Sequence, residues 1–116
     1  MPGQEQNPTE AWNGAVRYYG DLSSRPDWKW VRPIFELAKQ ISTSRVSTCF
    51  VPSIVDDGLE LSREGEGGPE RYLRITITRD GRLLLQRGSR GETKVAEHSC
   101  SIEAGFPTIT AVLKGM

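Results

Sequence analysis

The stretch Arg71-Tyr-Leu-Arg-Ile-Thr-Ile-Thr-Arg-Asp-Gly-Arg-Leu-Leu-Leu-Gln86 decides the fold of this chain. Leu73, Ile75 and Ile77 alternate with Arg74, Thr76 and Thr78, the two-residue period of a strand with one face in a core and one in water. Asp80-Gly81 then supplies two residues that tolerate positive φ, as a tight hairpin turn demands. Leu83 and Leu85 return as the apolar face of a second strand. A β-hairpin with one apolar face needs cover, and the rest of the chain has to supply it.

Upstream of the hairpin the composition is rich in β-branched residues. Val46 to Val51 reads as a strand ending at Pro52, and Ile54 to Ser62 as another, with Leu59 and Leu61 flanking Glu60. Asp56-Asp57-Gly58 interrupts this second strand with a bulge or turn. Glu64 to Glu70 is a flexible acidic connection without apolar residues to pack. Downstream, Ser89 to Glu92 makes a turn. Thr93 to Ile102 then reads as a strand with Val95, Glu97, Ser99 and Ser101 on one face and Ala96, His98, Cys100 and Ile102 on the other. Phe106, Ile109, Val112 and Leu113 have helical spacing after Pro107, against the extended preference of Thr108, Ile109, Thr110 and Val112. A short terminal helix is favoured over a strand there.

The cover comes from the N-terminal third. Residues 1–6, rich in Pro, Gly and Gln, read as a mobile tail before a single domain over 7–116. Asn7, Pro8 and Glu10 fit the N-cap, first turn and capping-box positions of a helix over Pro8–Tyr19. Trp12, Ala15, Val16 and Tyr19 share one face of it, and Gly20 reads as its stop. Asp21 to Arg32 reads as a turn or a single helical turn. Pro33 opens the main core helix, running to about Thr43, with Ile34, Leu37, Ala38 and Ile41 inward and Phe35 widening the stripe. Helices first and strands later predict an α+β fold: two N-terminal helices packed on one face of a four- or five-stranded antiparallel β-meander, with a possible short C-terminal helix.

Composition narrows the functional classes. A length of 116 residues suits one core. Fifteen basic residues balance fifteen acidic ones, with a pI near 6.6, so no global charge draws the chain to nucleic acid or to an anionic membrane. No run approaches the apolar length of a membrane span, and Met1 to Gln6 lacks the basic and apolar regions of a signal peptide. A soluble, cytoplasmic protein is the expectation. Cys49 and Cys100 are too few for a disulfide scaffold and read as buried thiols, small hydrophobes of the core.

The charges are nonetheless segregated. Asp56 to Glu70 holds six acidic residues against Arg63, and Arg71 to Lys94 holds seven basic ones against Asp80 and Glu92. Arg71, Arg74 and Arg82 on a solvent-facing strand surface could meet an acidic protein or phosphates; the plainer alternative pairs them across strands with Glu60 and its neighbours. Six of the nine aromatic residues fall in the first third. Tyr and Trp anchor protein interfaces. Trp28, Trp30 and Tyr18 are accordingly candidates for partner binding, against the alternative that Trp12, Trp28 and Phe35 fill the core. His98 and Cys100 share a strand face and Cys49 could lie on a neighbouring strand, but no Cys-x-x-Cys or paired-His spacing supports zinc. Gly65, Gly67 and Gly68 precede no helix with a Lys and Ser or Thr, so no phosphate loop is expected. No catalytic residue, metal or cofactor is assigned.

The succession of an amphipathic helix, Pro52-Ser53-Ile54, Asp57-Gly58-Leu59-Glu60-Leu61, Leu73-Arg74-Ile75-Thr76-Ile77 and Asp80-Gly81 resembles small uncharacterised bacterial proteins built as a helix plus a β-meander. Some of these are encoded with toxin or phage-defence genes. The resemblance spans residues 33–86 and implies an immunity- or antitoxin-like role without implying functional residues; where those proteins usually carry Glu-Trp, this chain has Ser62-Arg63. The expectation is a non-enzymatic protein-binding module. The alternatives are nucleic-acid binding through the arginine-rich hairpin 71–90, an enzyme with a pocket near His98, and a homodimer closed by the exposed aromatics.

Overall fold

The computed structural model of the chain describes residues 8–55, 58–63, 71–89, 91 and 95–114, the side chain of Pro8 excepted. Three α-helices, α1 (Pro8–Ser23), α2 (Arg32–Ser42) and α3 (Gly105–Lys114), accompany five strands, β1 (Val51–Val55), β2 (Gly58–Arg63), β3 (Arg71–Ile77), β4 (Leu83–Ser89) and β5 (Ala96–Cys100). The strands form one antiparallel sheet in sequence order. This is the α+β architecture that the order of helical and strand periodicities predicts, with both N-terminal helices and the short C-terminal one in place. The tail over 1–6, the Asn7 cap, the Asp56-Asp57 bend, the Glu64–Glu70 connection and Glu92–Lys94 lie outside the described residues.

Register explains how the core is assembled. Leu59 stands opposite Ile75, which stands opposite Leu85, and Leu61 stands opposite Leu73. These five side chains are buried, and so are Leu83 and Cys100, which face one another between β4 and β5. Against this face pack Trp12, Ala15 and Tyr19 of α1, Ile34, Leu37, Ala38 and Ile41 of α2, and Ile109 and Leu113 of α3, in one hydrophobic cluster. Phe35 is half-buried and widens the α2 stripe, as its position beside Ile34 predicts. Gly105 begins α3 where a Cβ would come within 2.6 Å of Leu83 Cδ1, so the absent side chain lets this helix sit directly on β4.

Two polar anchors tie α1 to the start of the sheet. The Trp12 indole N–H donates to the Phe50 carbonyl at 3.0 Å. The Tyr19 hydroxyl donates to the Gly58 carbonyl, with the Val55 carbonyl 3.3 Å away. Both side chains are buried, and a buried N–H or O–H needs such a partner.

Several boundaries differ from expectation, each for an identifiable physical reason. Gly20 does not stop α1. It has no positive φ, and its missing Cβ lets the Phe35 ring of α2 approach to 3.0 Å of the place a Cβ would occupy. The helix ends three residues later, where the Ser24 hydroxyl donates to the Asp21 carbonyl at 2.6 Å and Pro26 follows. Val46 is not in a strand, because Arg45–Thr48 forms a 3-10 helix with Ser47 and Thr48 hydroxyls donating to the carbonyls of Ser44 and Arg45. Strand β1 begins at Val51 and contains Pro52, which an edge strand tolerates because no neighbour requires its N–H. Ile54 and Val55 belong to β1 and not to β2. At the hairpin tip only Gly81 has positive φ, at 79°. Gly81 N–H bonds to the Thr78 carbonyl and Thr78 N–H to the Arg82 carbonyl, so the loop takes three residues with a glycine bulge, not two. Strand β5 is shorter than Thr93–Ile102, with Cys100 inward and His98 opposite Leu85.

Candidate functional site

The segment between α1 and α2 builds the most distinctive surface. Pro26–Val31 forms a 3-10 helix, but Trp28 departs from helical geometry with φ −121° and ψ 15°. In a regular helix residues two apart point to different sides. The kink at Trp28 brings two such rings together: Trp28 and Trp30 stack with centroids 5.6 Å apart and planes inclined by 28°. Both are exposed, Trp28 at 38% and Trp30 at 45%. Trp28 therefore does not fill the core; Trp12, at 1% exposure, does. Val31, buried at the end of the 3-10 helix, fixes the platform to the body of the protein.

Trp30 forms one wall of an open cleft of ≈ 580 Å³ that reaches the β3–β4 turn. Pro33, Ile77 and Ile102 give it further apolar walls, and Lys29 and Arg79 its cations. No carboxylate among the described residues lines it. Ile102 is itself exposed. Neither Lys29 nor Arg79 is engaged in an ion pair among the described residues. Arg82 lies at the end of the same turn, where Thr78 holds both strands by accepting from the Arg82 N–H at 3.1 Å. Asp80 accepts a hydrogen bond from the Thr78 hydroxyl. That bond, then its own backbone N–H and the Arg82 charge, hold its carboxyl below the ordinary 3.8.

The structure separates the other candidates. Tyr18 is exposed on α1, its ring edge-on to Tyr19, and does not line the cleft. Arg74 is mid-strand on the helix-free face, where Nε and Nη2 both reach one carboxylate oxygen of Glu60, at 3.3 and 3.0 Å. Glu60 faces Arg74 directly in the register and is almost fully covered. Farther along the same row Gln86 donates to Glu97 at 2.7 Å. Cross-strand pairing thus accounts for Arg74. Arg71 stands opposite Arg63 at the far end of β3 from the turn. Of the six candidates, Trp28, Trp30 and Arg82 gather near the hairpin tip, and Tyr18, Arg71 and Arg74 do not.

Sequence reasoning missed Lys29, Pro33, Ile77, Arg79 and Ile102. Arg79, next to the Asp80-Gly81 turn, carried a readable signal as the arginine nearest the tip. Ile102 carried none, because its place beside Trp30 depends on β5 ending at Cys100. His98 borders a shallow groove of ≈ 450 Å³ between β4, β5 and α3, with Arg87 and Thr108. It makes no hydrogen bond among the described residues, and neither Ser nor Cys lines that groove. Of the two cysteines expected to be buried, Cys100 is, but Cys49, in the turn before β1, is exposed and is not brought to His98 and Cys100 on β5; no group of three metal-ligating side chains occurs among the described residues. Among these residues no helix is long and apolar enough to cross a membrane. No family model matches the chain, and neither the curated proteins nor the solved structures contain a match to it.

Proposed function

We propose that this chain is a non-catalytic protein-binding module whose docking surface is the cleft between the Trp28–Trp30 platform and the β3–β4 turn. The observation that carries this reading is the pair of stacked, exposed tryptophans beside Lys29 and Arg79, which form no ion pair among the described residues. Tryptophan and arginine at the centre of a concave surface are the residue types that supply most binding energy in protein interfaces. The partner that fits is a protein segment presenting an apolar side chain to Trp30, Pro33 and Ile77, flanked by carboxylates that meet Lys29, Arg79 and Arg82. The resemblance of residues 33–86 supports an immunity- or antitoxin-like form of this role, in a bacterial cytoplasm, with a toxin as partner.

The test is quantitative capture with matched variants. Host lysate is passed over the immobilised chain, its Trp30→Ala variant and its Arg79→Glu variant, and the retained protein is then purified and titrated against each. Trp30→Ala should weaken binding about 30-fold or more, a loss of about 2 kcal/mol for a buried anchor. Arg79→Glu should weaken it in proportion to falling ionic strength. A partner that binds Trp30→Ala as tightly as the parent refutes the site. Retention of nucleic acid that leaves steeply as salt rises refutes the protein-binding reading in favour of the arginine hairpin.

A further inference from the structure

The far end of the sheet carries a second groove of different construction. Arg63 ends β2 at the end of the sheet opposite the β3–β4 turn, Arg45 opens the 3-10 helix before β1, and Lys114 ends α3. All three border one groove of ≈ 250 Å³ whose walls include Val46, Phe50 and Leu113. Phe50 and Leu113 belong to the main core, so the floor is rigid and apolar. No carboxylate among the described residues borders the groove. None of the three cations forms an ion pair among the described residues. Three separate elements thus bring three like charges to one concavity, where their summed positive potential favours an anion.

The geometry points to a site for a small organic phosphomonoester: its phosphoryl oxygens meet Arg45, Arg63 and Lys114, and its apolar body rests on Val46, Phe50 and Leu113. A carboxylate offers two oxygens and is satisfied by one arginine fork. A phosphoryl dianion offers three oxygens and accommodates cations from three directions. Size agrees: at about 30 Å³ per water-sized group the groove holds about eight such groups, enough for a phosphoryl group and a short apolar extension. The site is separate from the Trp30 cleft, at the other end of the strands, so either can fail alone.

The same wall includes a reporter. Cys49 borders the groove and is exposed, whereas Cys100 is buried. Calorimetric titration with phenyl phosphate, inorganic phosphate and phenol, together with the rate of Cys49 alkylation by iodoacetamide, tests the proposal. Phenyl phosphate should bind more tightly than inorganic phosphate, phenol should not bind, and saturating phenyl phosphate should slow alkylation at least fivefold. Arg63→Gln and Arg45→Gln should each weaken phenyl phosphate tenfold or more, while Arg17→Gln on α1 and Trp30→Ala should leave it unchanged. Flotation with vesicles containing phosphatidate, against vesicles of phosphatidylcholine alone, distinguishes the source: flotation shows that a lipid phosphomonoester reaches the site, and its absence alongside phenyl phosphate binding assigns a free one. Equal binding of phenol and phenyl phosphate, unaltered Cys49 reactivity, or equal losses in Arg17→Gln and Arg63→Gln would overturn the proposal.

Discussion

Replacing Trp12 by Phe is a sharp test of how the helices are held on the sheet. The indole N–H donates to the Phe50 carbonyl at 3.0 Å, with Trp12 at 1% and Phe50 at 4% exposure. Phenylalanine removes the donor and leaves a buried carbonyl without it, which costs about 1–3 kcal/mol. It also removes about 40 Å³ of side chain, which at about 24 cal/mol per Å³ of residual cavity adds about 1 kcal/mol. The sum, about 2–4 kcal/mol, corresponds to a fall in Tm of about 8–16 °C for a chain of this size. The control is Trp30→Phe, whose exposed ring predicts a change within about 0.5 kcal/mol. Urea unfolding followed by far-ultraviolet circular dichroism, with unchanged m values, separates the two. Midpoints for Trp12→Phe and Trp30→Phe that coincide would refute the division of the tryptophans into one that holds the core and two that face outward. That division is also what allows Trp30 to be altered in binding experiments without unfolding the protein.

Two further expectations follow from local geometry. At Gly58 a Cβ would lie 1.9 Å from the Ile75 carbonyl oxygen, so Gly58→Ala must push β2 away from β3 and should cost about 3 kcal/mol or more. Gly14, exposed in α1 with nothing within 4 Å of a Cβ, should instead gain about 0.5–1 kcal/mol as alanine. Thermal melts that move the same way for both variants would contradict these packing assignments. At the hairpin tip, Asp80 is held below the ordinary 3.8 chiefly by the Thr78 hydroxyl. A carboxyl depressed in the folded state contributes stability that is present above its unfolded value and is lost as pH falls through the folded one. The turn should therefore be indifferent to pH between 7 and 5 and loosen only in stronger acid. A carboxyl-detected NMR titration should place Asp80 below 3.8 and Thr78→Val should return it towards that value; an unchanged midpoint in Thr78→Val would show that the hydroxyl is not the cause.

Much of this fold is local in origin and so was legible in the chain. Leu73, Ile75 and Ile77 alternate strictly with polar residues, because one side of a strand is either inside or outside. Ile34, Leu37, Ala38 and Ile41 recur at the helical period because α2 buries a single stripe. Gly81 marks a turn because only glycine takes φ of 79° without strain. These signals act within a few residues, and they settle the α+β class and the meander. Some boundaries were misread because a neighbour distant in sequence overrides the local preference. Gly20 reads as a helix stop, but Phe35 fifteen residues later makes it a packing site. Pro52 reads as a strand end, but it occupies a strand edge where its missing N–H is not needed. The candidate surfaces depend still more on such distant neighbours. Trp30 shares a cleft with Ile77, Arg79 and Ile102, and Arg45 a groove with Arg63 and Lys114, only after the sheet and all three helices have closed on one core. Residue chemistry is written along the chain, but convergence of side chains is a property of packing, and only the tertiary structure decided which aromatics and cations share a concavity.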